Sequence, residues 1–451
     1  MTQQMTSRLR GFLYIVSSVL VASLAGAGSA EAQTRTPAAN PPTFTKDVAP
    51  ILQRSCQRCH RPGSIAPMSF LTYEEARPWA RSMKVQVASR EMPPWHIDRN
   101  VGIQKFKDDP SLTDAEIATI VKWVDGEAPR GNPADMPPPV QWAPDDRWGI
   151  GTPDMILTIK DGDIPVAAAA ADQWMNVQMQ DPNLTEDRYI QAIEIKPIKG
   201  LPTVHHANAS YVTDPAAGVG VHLVEFAVGK AGEIYPEGSG KLLKAGSTMM
   251  MNLHLHSVGE AMPMNLALGI KFWPKDQAPK HVQLTRHVGD QEEGIDIPPG
   301  AADVRSEGFT ILSQPARLTA FQPHMHNRGK RQCLEAIYPP TGGSGSRADL
   351  ARVETIGCAN FHFAWHLQYT YADDAQPLLP AGTVLRVVSW HDNSAGNKYN
   401  PDPTNWVGFG QRTIDDMSFA WVTMYNMTPQ DFDAAVKERQ DKSRTATNQQ
   451  Q

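Results

Sequence analysis

The sequence predicts a multidomain protein in which a small all-α domain is followed by two all-β sandwich domains. Three observations support this prediction. Residues 44–130 carry the apolar spacing of amphipathic helices, residues 131–150 are rich in proline, and residues 151–428 consist of short alternating runs between glycine and proline turns. A break at "KDQAPKHV", near 275–282, divides the β region. The predicted domains are 44–130, 151–278 and 279–428, with 131–150 as a linker.

The helical prediction for 44–130 depends on two stretches. "LTDAEIATIVKWVDG", Leu112 to Gly126, has Thr113 three residues before Glu116, which is the pattern of a capping box. An apolar face follows at helical spacing. "TYEEARPWARSMKVQVAS" is the second helical stretch. The two stretches therefore predict that residues 44–130 form a compact helical unit.

The two ends of the chain carry other signals. Arg8 and Arg10 precede an apolar run from Phe12 to about Ala27, and "AEA" at 30–32 is a cleavage pattern. This predicts a secretory signal peptide over 1–32, followed by a polar linker over 33–43. At the other end, residues 429–451 form a polar tail that begins helical and is expected to end disordered.

Composition limits the function. The net charge of −6 gives no reason to expect nucleic-acid binding. Export into an oxidising compartment, most simply the periplasm, permits disulfide bonds. Of the four cysteines, Cys333 and Cys358 lie far from the other two and are expected to form a disulfide bond, the alternative being two buried thiols.

The other two cysteines lie in "CQRCH", Cys56 to His60, which is the attachment motif of a c-type haem. The two thiols bond the haem and His60 is the proximal ligand of its iron. A thioredoxin-like pair would need a βαβ context and a zinc site would need a second ligand pair, and the sequence offers neither. The motif therefore predicts one covalent haem c and a role in electron transfer.

A sixth haem ligand is expected further along the chain. Met92, in "REMPPWH", precedes the last amphipathic helix and is the first choice, with Met68 in "IAPMSF" as the rival and His96 as a weaker one. Met83 is expected in the helical core. The order of haem motif, Met-Pro turn and C-terminal helix resembles the single-haem cytochrome c family over residues 44–130.

The β region contains three groups of histidines. "AFQPHMHNRGK" carries His324 and His326, "TVHHANASYV" carries His205 and His206, and "MNLHLHSVG" carries His254 and His256. Residues two apart on a strand share a face, so each His-x-His pair can chelate one metal ion. Adjacent residues point to opposite faces, so the doublet can share an ion only where the strand ends or twists.

This array resembles the copper type II, ascorbate-dependent monooxygenases, the family of peptidylglycine α-hydroxylating monooxygenase and dopamine β-monooxygenase. The resemblance covers about 150–428 and is carried by "TVHH", "LHLH", "AFQPHMHNRGK" and "DDMSFAWVTMYNM". It implies two jelly-roll sandwiches, each holding one copper, that face each other across a solvent-filled cleft. The first copper would transfer electrons and the second would activate oxygen.

The resemblance also implies the ligands. The first copper would take His205, His206 and His254, with His256 as an alternative to His254. The second would take His324, His326 and Met417, because a soft, weak thioether favours Cu(I) and leaves a position open for O₂.

This chain departs from the peptide-amidating enzymes at two positions. It has Gln322 and Phe419 where those enzymes carry an Arg and an Asn that hold the peptide. Glycine-extended peptides are therefore not the expected substrates. The remaining β-region histidines are interpreted as surface or core residues: His222, His281, His287, His362, His366 and His391.

The combined hypothesis is an exported copper-dependent monooxygenase that hydroxylates a C–H bond of a small organic substrate with O₂. The haem would pass electrons one at a time to the copper at His205, His206 and His254, having received them from a reduced cytochrome, a quinol-linked chain or an ascorbate-like reductant. The alternative is a haem and copper electron-transfer or redox-sensing protein without oxygenase activity. A cytochrome joined to a sugar- or protein-binding sandwich is the third interpretation.

Overall fold

The structure is a computed structural model of the full chain. It describes residues 41–448 apart from 63, 143–146, 215–219, 228, 229, 231, 291–293 and 341–351. The predicted signal peptide and most of the linker that follows it lie outside the described residues. Among the described helices, none is long and apolar enough to cross a membrane.

Helices occur near the start and at the end of the described chain. The α-helices are α1 (Ala49–Ser55), α2 (Tyr73–Ala76), α3 (Ala80–Ala88), α4 (Asp114–Asp125) and α5 (Pro429–Asn448). A π-helical turn, Phe44–Val48, precedes α1, and 3₁₀ turns cover Arg77–Trp79, Pro133–Asp135 and Leu201–Thr203. Both predicted helical stretches are confirmed, and Thr113 and Glu116 form the capping box at the start of α4.

The rest of the described chain is dominated by β-strands. They are β1 (Ile97–Gly102), β2 (Met155–Thr158), β3 (Ile164–Val166), β4 (Gln173–Gln178), β5 (Arg188–Lys199), β6 (Val204–Val212), β7 (Val221–Ala227), β8 (Glu233–Ile234), β9 (Ser239–Leu243), β10 (Thr248–Leu255), β11 (Met262–Phe272), β12 (His281–Asp290), β13 (Asp296–Ile297), β14 (Val304–Ile311), β15 (Ala316–His324), β16 (Gly329–Ile337), β17 (Val353–Ala359), β18 (Tyr369–Thr370), β19 (Leu378–Leu379), β20 (Val384–His391), β21 (Val407–Gly408) and β22 (Ser418–Asn426).

One large sheet extends through the whole β region. Its strands run in the order β18-β15-β22-β12-β9-β5-β11-β2, with β19, β3 and β8 paired at its sides. The sheet β4-β10-β6-β7 faces one hydrophobic core, and the sheet β1-β17-β16-β20-β14 contributes to another. The large sheet joins both cores because β12 pairs in parallel with β9, His281 opposite Ser239 and Val282 opposite Gly240. This pairing crosses the predicted break near 279.

The predicted fold class, an all-α cytochrome c domain followed by two jelly-roll sandwich domains, is wrong. The segment 44–130 is not all-α, because β1 lies within it and pairs with β17. Ile97 of β1 is buried in the core of the C-terminal β region, and Trp95 and Phe106 pack against the same core. Residues 97–102 form a strand because they pair with β17. Their sequence, "IDRNVG", has no alternation of apolar residues that would predict a strand.

Two further features concern the C-terminal half. Cys333 and Cys358 face each other on β16 and β17 and form the expected disulfide bond. The C-terminal tail differs from its expectation, because α5 continues to Asn448 through most of the polar run that was expected to be disordered. Residues 449–451 lie outside the described chain.

Candidate metal centre and haem-attachment cavity

The histidine doublet lies at an irregularity in strand β6. His206 is opposite His254 of β10, but the next pair is Val204 with Leu255, so His205 is an extra residue on its strand. A β-bulge of this kind re-aims side chains that would otherwise alternate between faces. The bulge therefore resolves the question raised by two adjacent histidines, since it brings both rings to one side.

The bulge forms a compact group of three imidazoles. His205 Nδ1 and His206 Nδ1 are 3.1 Å apart. One ligand atom from each of His205, His206 and His254 lies within 4.8 Å of the others. Two imidazole nitrogens on one tetrahedral metal ion are about 3.3 Å apart, because each is about 2.0 Å from the ion. The group, called the triad below, fits a single transition-metal ion.

His254 is fixed by contacts on the side away from the triad. Its Nε2 lies 2.9 Å from Asp172 Oδ2, and Trp174 stacks on its ring with centroids 4.3 Å apart. A carboxylate that accepts a hydrogen bond from the other ring N–H sets the tautomer of a metal-binding histidine. His256 follows β10 and its ring centroid is 6.3 Å from that of His205, against 4.7 Å for His254. Of the two histidines, His254 is therefore the one that lies closer to His205 and completes the triad.

The triad is electrostatically suited to bind a cation. Burial, followed by the charges of His366 and His254, lowers the pKa of His205 to about 3. Burial likewise places the pKa of His206 well below its usual range. These rings are neutral at physiological pH, and neutral imidazole is the form that ligates copper, zinc or iron.

The second predicted pair is also buried, but the two rings do not share a strand face. Strand β15 ends at His324, and His326 lies beyond it, with the two ring centroids 5.6 Å apart. His324 is covered by Phe419, which stacks on it at 4.5 Å. Its Nδ1 is buried without a hydrogen-bond partner among the described residues.

Asp416 holds the second pair in position relative to Met417. Its Oδ1 accepts the backbone N–H of His326 at 3.0 Å and that of Met417 at 2.8 Å. The carboxylate is fully buried and lies 3.5 Å from the ring of His391, which lowers the pKa of Asp416 against the effect of burial. His391 is a core residue that also contacts Ser306, in agreement with its prediction.

One histidine that the sequence did not single out lies beside both groups. His366 is in the loop after β17, and its ring centroid is 5.3 Å from His205, 5.8 Å from His206 and 5.5 Å from His324. The histidines therefore form one continuous cluster. The only sequence signal for this position is the density of rings in "FHFAWH", and a loop has no periodicity that assigns a direction to them.

The haem-attachment motif opens into a cavity of about 830 Å³. Residues of the motif line one side, and Tyr235, Trp365 and Leu367 of the β region line another. Cys56 and Cys59 are free thiols. Burial raises the pKa of the Cys56 thiol to about 12, whereas a reactive redox pair needs a lowered thiol pKa. The cavity has the size of a cofactor site.

His60 is oriented as a metal ligand within this cavity. Its Nδ1 lies 3.3 Å from the carbonyl oxygen of Met68, and Phe70 stacks on the ring at 4.2 Å. An Nδ1–H donated to a backbone carbonyl leaves Nε2 available as the ligand. The residues thus fit a haem that would be held by the two thiols, with His60 as a ligand of its iron.

The cavity separates the candidates for the sixth ligand. Met68, Met83 and Met92 all line it, whereas His96 lies in a neighbouring cavity of about 410 Å³. Met68 also supplies the carbonyl that contacts His60 Nδ1, which keeps its backbone on the proximal side of that ring. Met83 belongs to the helical core, as expected. Met92 is therefore the candidate that the geometry favours.

Trp365 connects the two regions. It lines the large cavity, while the next residue in the chain, His366, lies in the histidine cluster. Both residues belong to the loop between β17 and β18, which therefore contacts the cavity on one side and the histidine cluster on the other. Together, a triad of neutral imidazoles and a cavity with a haem-attachment motif define a candidate two-cofactor redox site.

Comparison with known proteins assigns no family to this chain. No family model matches it, and no curated protein matches it. The major capsid protein P2 of bacteriophage PM2 aligns at 8% identity and a TM-score of 0.23, covering 53% of this chain and 97% of that chain. A structure of infectious bursal disease virus Gx strain aligns at 8% identity and a TM-score of 0.17, covering 60% and 71%. Likenesses this weak say nothing about the fold or function of this chain.

Proposed function

We propose that this chain is an exported copper-dependent monooxygenase that hydroxylates a C–H bond of an organic substrate with O₂. Its electrons would enter through a c-type haem attached to Cys56 and Cys59, with His60 and Met92 as the residues that would ligate its iron. The two copper sites would be the triad and the group of His324, His326 and Met417. The observation that carries the proposal is the triad, in which a bulge turns two adjacent imidazoles towards a third.

When bound at two such sites, copper supplies single electrons and an open position for O₂. The side chains of the protein provide the setting. Asp172 fixes the ring of His254, and Asp416 holds the backbone of His326 and Met417 in register. Phe419 covers His324 and limits the access of water to that ring. Fixed ligands lower the reorganisation required at each site.

The first experiment measures copper per haem in protein matured with haem, for the wild type and for His206→Ala and His324→Ala. We expect two coppers per haem in the wild type and one in each variant, because each substitution removes one ligand from one site. His281→Ala is the matched control, since this ring stacks on Tyr425 far along the sheet from the cluster. One haem without bound copper in the wild type would refute the proposal.

A second measurement separates the oxygenase from a relay that only transfers electrons. The reduced, copper-loaded protein is exposed to O₂ with a panel of small organic substrates, and hydroxylated product is measured beside O₂ consumption. We expect product to depend on His324 and Met417. Reoxidation at an equal rate in the wild type and in Met417→Ala, without product, would favour the electron-transfer function.

A further inference from the structure

A single layer of backbone separates the haem-motif cavity from the histidine cluster. Trp365 and Leu367 both line the cavity, whereas His366 between them is 3% exposed and lies among the histidines. Successive residues of this stretch therefore face opposite sides, as they do in a strand. The loop forms a wall one residue thick, and one peptide unit connects the indole of Trp365 to the imidazole of His366.

Hydrogen bonds and packing hold this wall in place. The backbone N–H of Trp365 donates to the carbonyl oxygen of His362 at 2.9 Å, and the ring of His366 hydrogen-bonds to the backbone of Phe363. Trp365 packs against the C-terminal core, to which Leu367 belongs. The two rings therefore have fixed positions between the cavity and the cluster.

On the far side of the wall, His366 contacts the triad. Its ring meets that of His205 edge to face with centroids 5.3 Å apart, and the centroid of His206 is 5.8 Å away. These are the separations of aromatic rings in contact. The group of ligand atoms within 4.8 Å of one another consists of His205, His206 and His254. His366 thus touches two members of the triad without belonging to it.

Two other tryptophans line the same cavity but lead elsewhere. Trp79 ends a 3₁₀ turn on the helical side and is 42% exposed. The ring of Trp95 contacts Phe106 and Tyr369, which pack in the C-terminal core. Among the described tryptophans of this cavity, Trp365 is the one whose neighbour in the chain contacts the triad.

We propose that Trp365 and His366 form an electron relay that leads from the haem-motif cavity to the triad. This inference rests on the proposed function for the presence of haem and copper, and it adds the path between them. In the step, one electron leaves an Fe(II) haem, which becomes Fe(III), and converts Cu(II) at the triad to Cu(I). No atom is transferred. Electrons tunnel faster through bonded and packed atoms than through empty space, and from Trp365 onward this route consists of bonds and ring contacts.

The test follows one electron and needs neither O₂ nor a substrate. Haem-containing protein with one equivalent of Cu(II) is kept anaerobic, and a flavin radical produced by a laser flash reduces the haem. The haem absorption band then reports reoxidation as the electron reaches copper. We expect reoxidation to be at least about tenfold slower in Trp365→Leu, because the smaller side chain leaves a gap in the path. Trp365→Phe keeps a ring and should regain most of the rate.

Further variants separate a relay from a residue that only supports the fold. Trp79→Leu is the matched control, since it removes a tryptophan from another side of the same cavity, and its rate should equal that of the wild type. His366→Leu breaks the second half of the relay and should slow reoxidation as Trp365→Leu does. His206→Ala removes a triad ligand and should abolish the fast reoxidation, which identifies the acceptor. The haem reduction potential and copper affinity of each variant are measured, so that a smaller driving force is not mistaken for a broken path.

The outcomes separate this inference from the proposed function. Equal rates in the wild type and Trp365→Leu, with haem and copper bound in both, would overturn the relay and leave the oxygenase proposal standing. Slowing by Trp95→Leu in place of Trp365→Leu would overturn it as well. Slower transfer in Trp365→Leu, in a protein that never hydroxylates a substrate, would support the relay and count against the oxygenase alone. Wild-type protein that binds no haem or no copper would overturn both, and the metal content measured before the flash identifies that case.

Discussion

Asp172 shows how a single residue beside the proposed metal site can be tested. Its carboxylate is 2.9 Å from His254 Nε2 and fixes the ring that closes the triad. We predict that Asp172→Ala weakens metal binding at the triad by about 10- to 100-fold, because the tautomer and direction of His254 are no longer set. Isothermal titration with Cu(II) measures this loss.

The control for Asp172 is Glu260→Gln, which removes an equal negative charge from an exposed position on the same part of the chain. If both variants weaken binding equally, the effect is one of general charge, and the contact with His254 is not its cause.

His222 provides a pH-dependent prediction away from the triad. Burial and the nearby lysine charge of Lys241 hold its pKa well below the usual value of about 6.5. The unfolded chain therefore binds a proton below pH 6.5 that the folded protein does not bind. The stabilisation is complete above about pH 6.5 and is lost as the pH falls below it.

We predict that His222 alone costs the protein about 1.4 kcal/mol of unfolding free energy between pH 7.5 and 5.5. His222→Phe keeps a ring against Trp421 but has no titratable group, so its urea midpoint should fall less over that interval. Parallel curves for the two proteins would contradict the assignment.

The residues of the candidate site differ in how far the sequence alone could predict them. "CQRCH" is a local motif, so five consecutive residues are enough to predict haem attachment, and this stays a prediction. The sequence identified His205 and His206 as candidate ligands, but it could not predict that both rings lie on one side of the strand. That arrangement depends on the register shift between β6 and β10. His366 gave only the weak signal of the aromatic density in "FHFAWH", since its loop position is set by contacts between residues far apart in the chain.

At the scale of elements, the disulfide bond joins β16 to β17 beside the strand that reaches in from the N-terminal segment. We predict that replacing both Cys333 and Cys358 by Ala lowers the free energy of unfolding by about 3 kcal/mol, because the bond closes a loop with a sequence separation of 25. Urea denaturation of the variant measures the change.

The reduced wild-type protein is the matched comparison for this variant. It should denature at the same urea concentration as the double variant, since it lacks the same bond but retains both side chains. A reduced protein as stable as the oxidised one would mean that the bond contributes little.

Elements with a local signal were predictable and those without one were not. The capping box and the apolar spacing of α4 are properties of consecutive residues, and α4 forms where they predict it. Strand β1 contains Asp98 and Asn100, which have low strand propensity, and only its pairing with β17 makes it a strand. The prediction of an all-α domain failed at this element.

At the scale of the molecule, β1 ties the haem-motif segment to the C-terminal core. Ile97 is 5% exposed there, and Trp95, Ile103 and Phe106 pack against the same core. We predict that a chain starting at residue 131 loses at least about 5 kcal/mol, since burying each large apolar side chain contributes about 1.5–3 kcal/mol. That loss is as large as the whole stability of many domains.

The shortened chain should therefore aggregate or melt without a cooperative transition, with β17 left as an exposed edge. Near-ultraviolet circular dichroism and a thermal melt measure this. A shortened chain that melts cooperatively at the temperature of the full chain would show that the β region folds on its own.

The loop that carries Trp365 and His366 has a consequence for how the two sites can change. Neighbouring residues face the haem-motif cavity and the histidine cluster, so a shift of this backbone disturbs both at once. A variant anywhere in the loop that alters the reduction potential of one group should alter the metal affinity of the other. If the proposed function holds, the two cofactor sites would be a single mutational target over evolutionary time, and neither could be tuned through this loop alone.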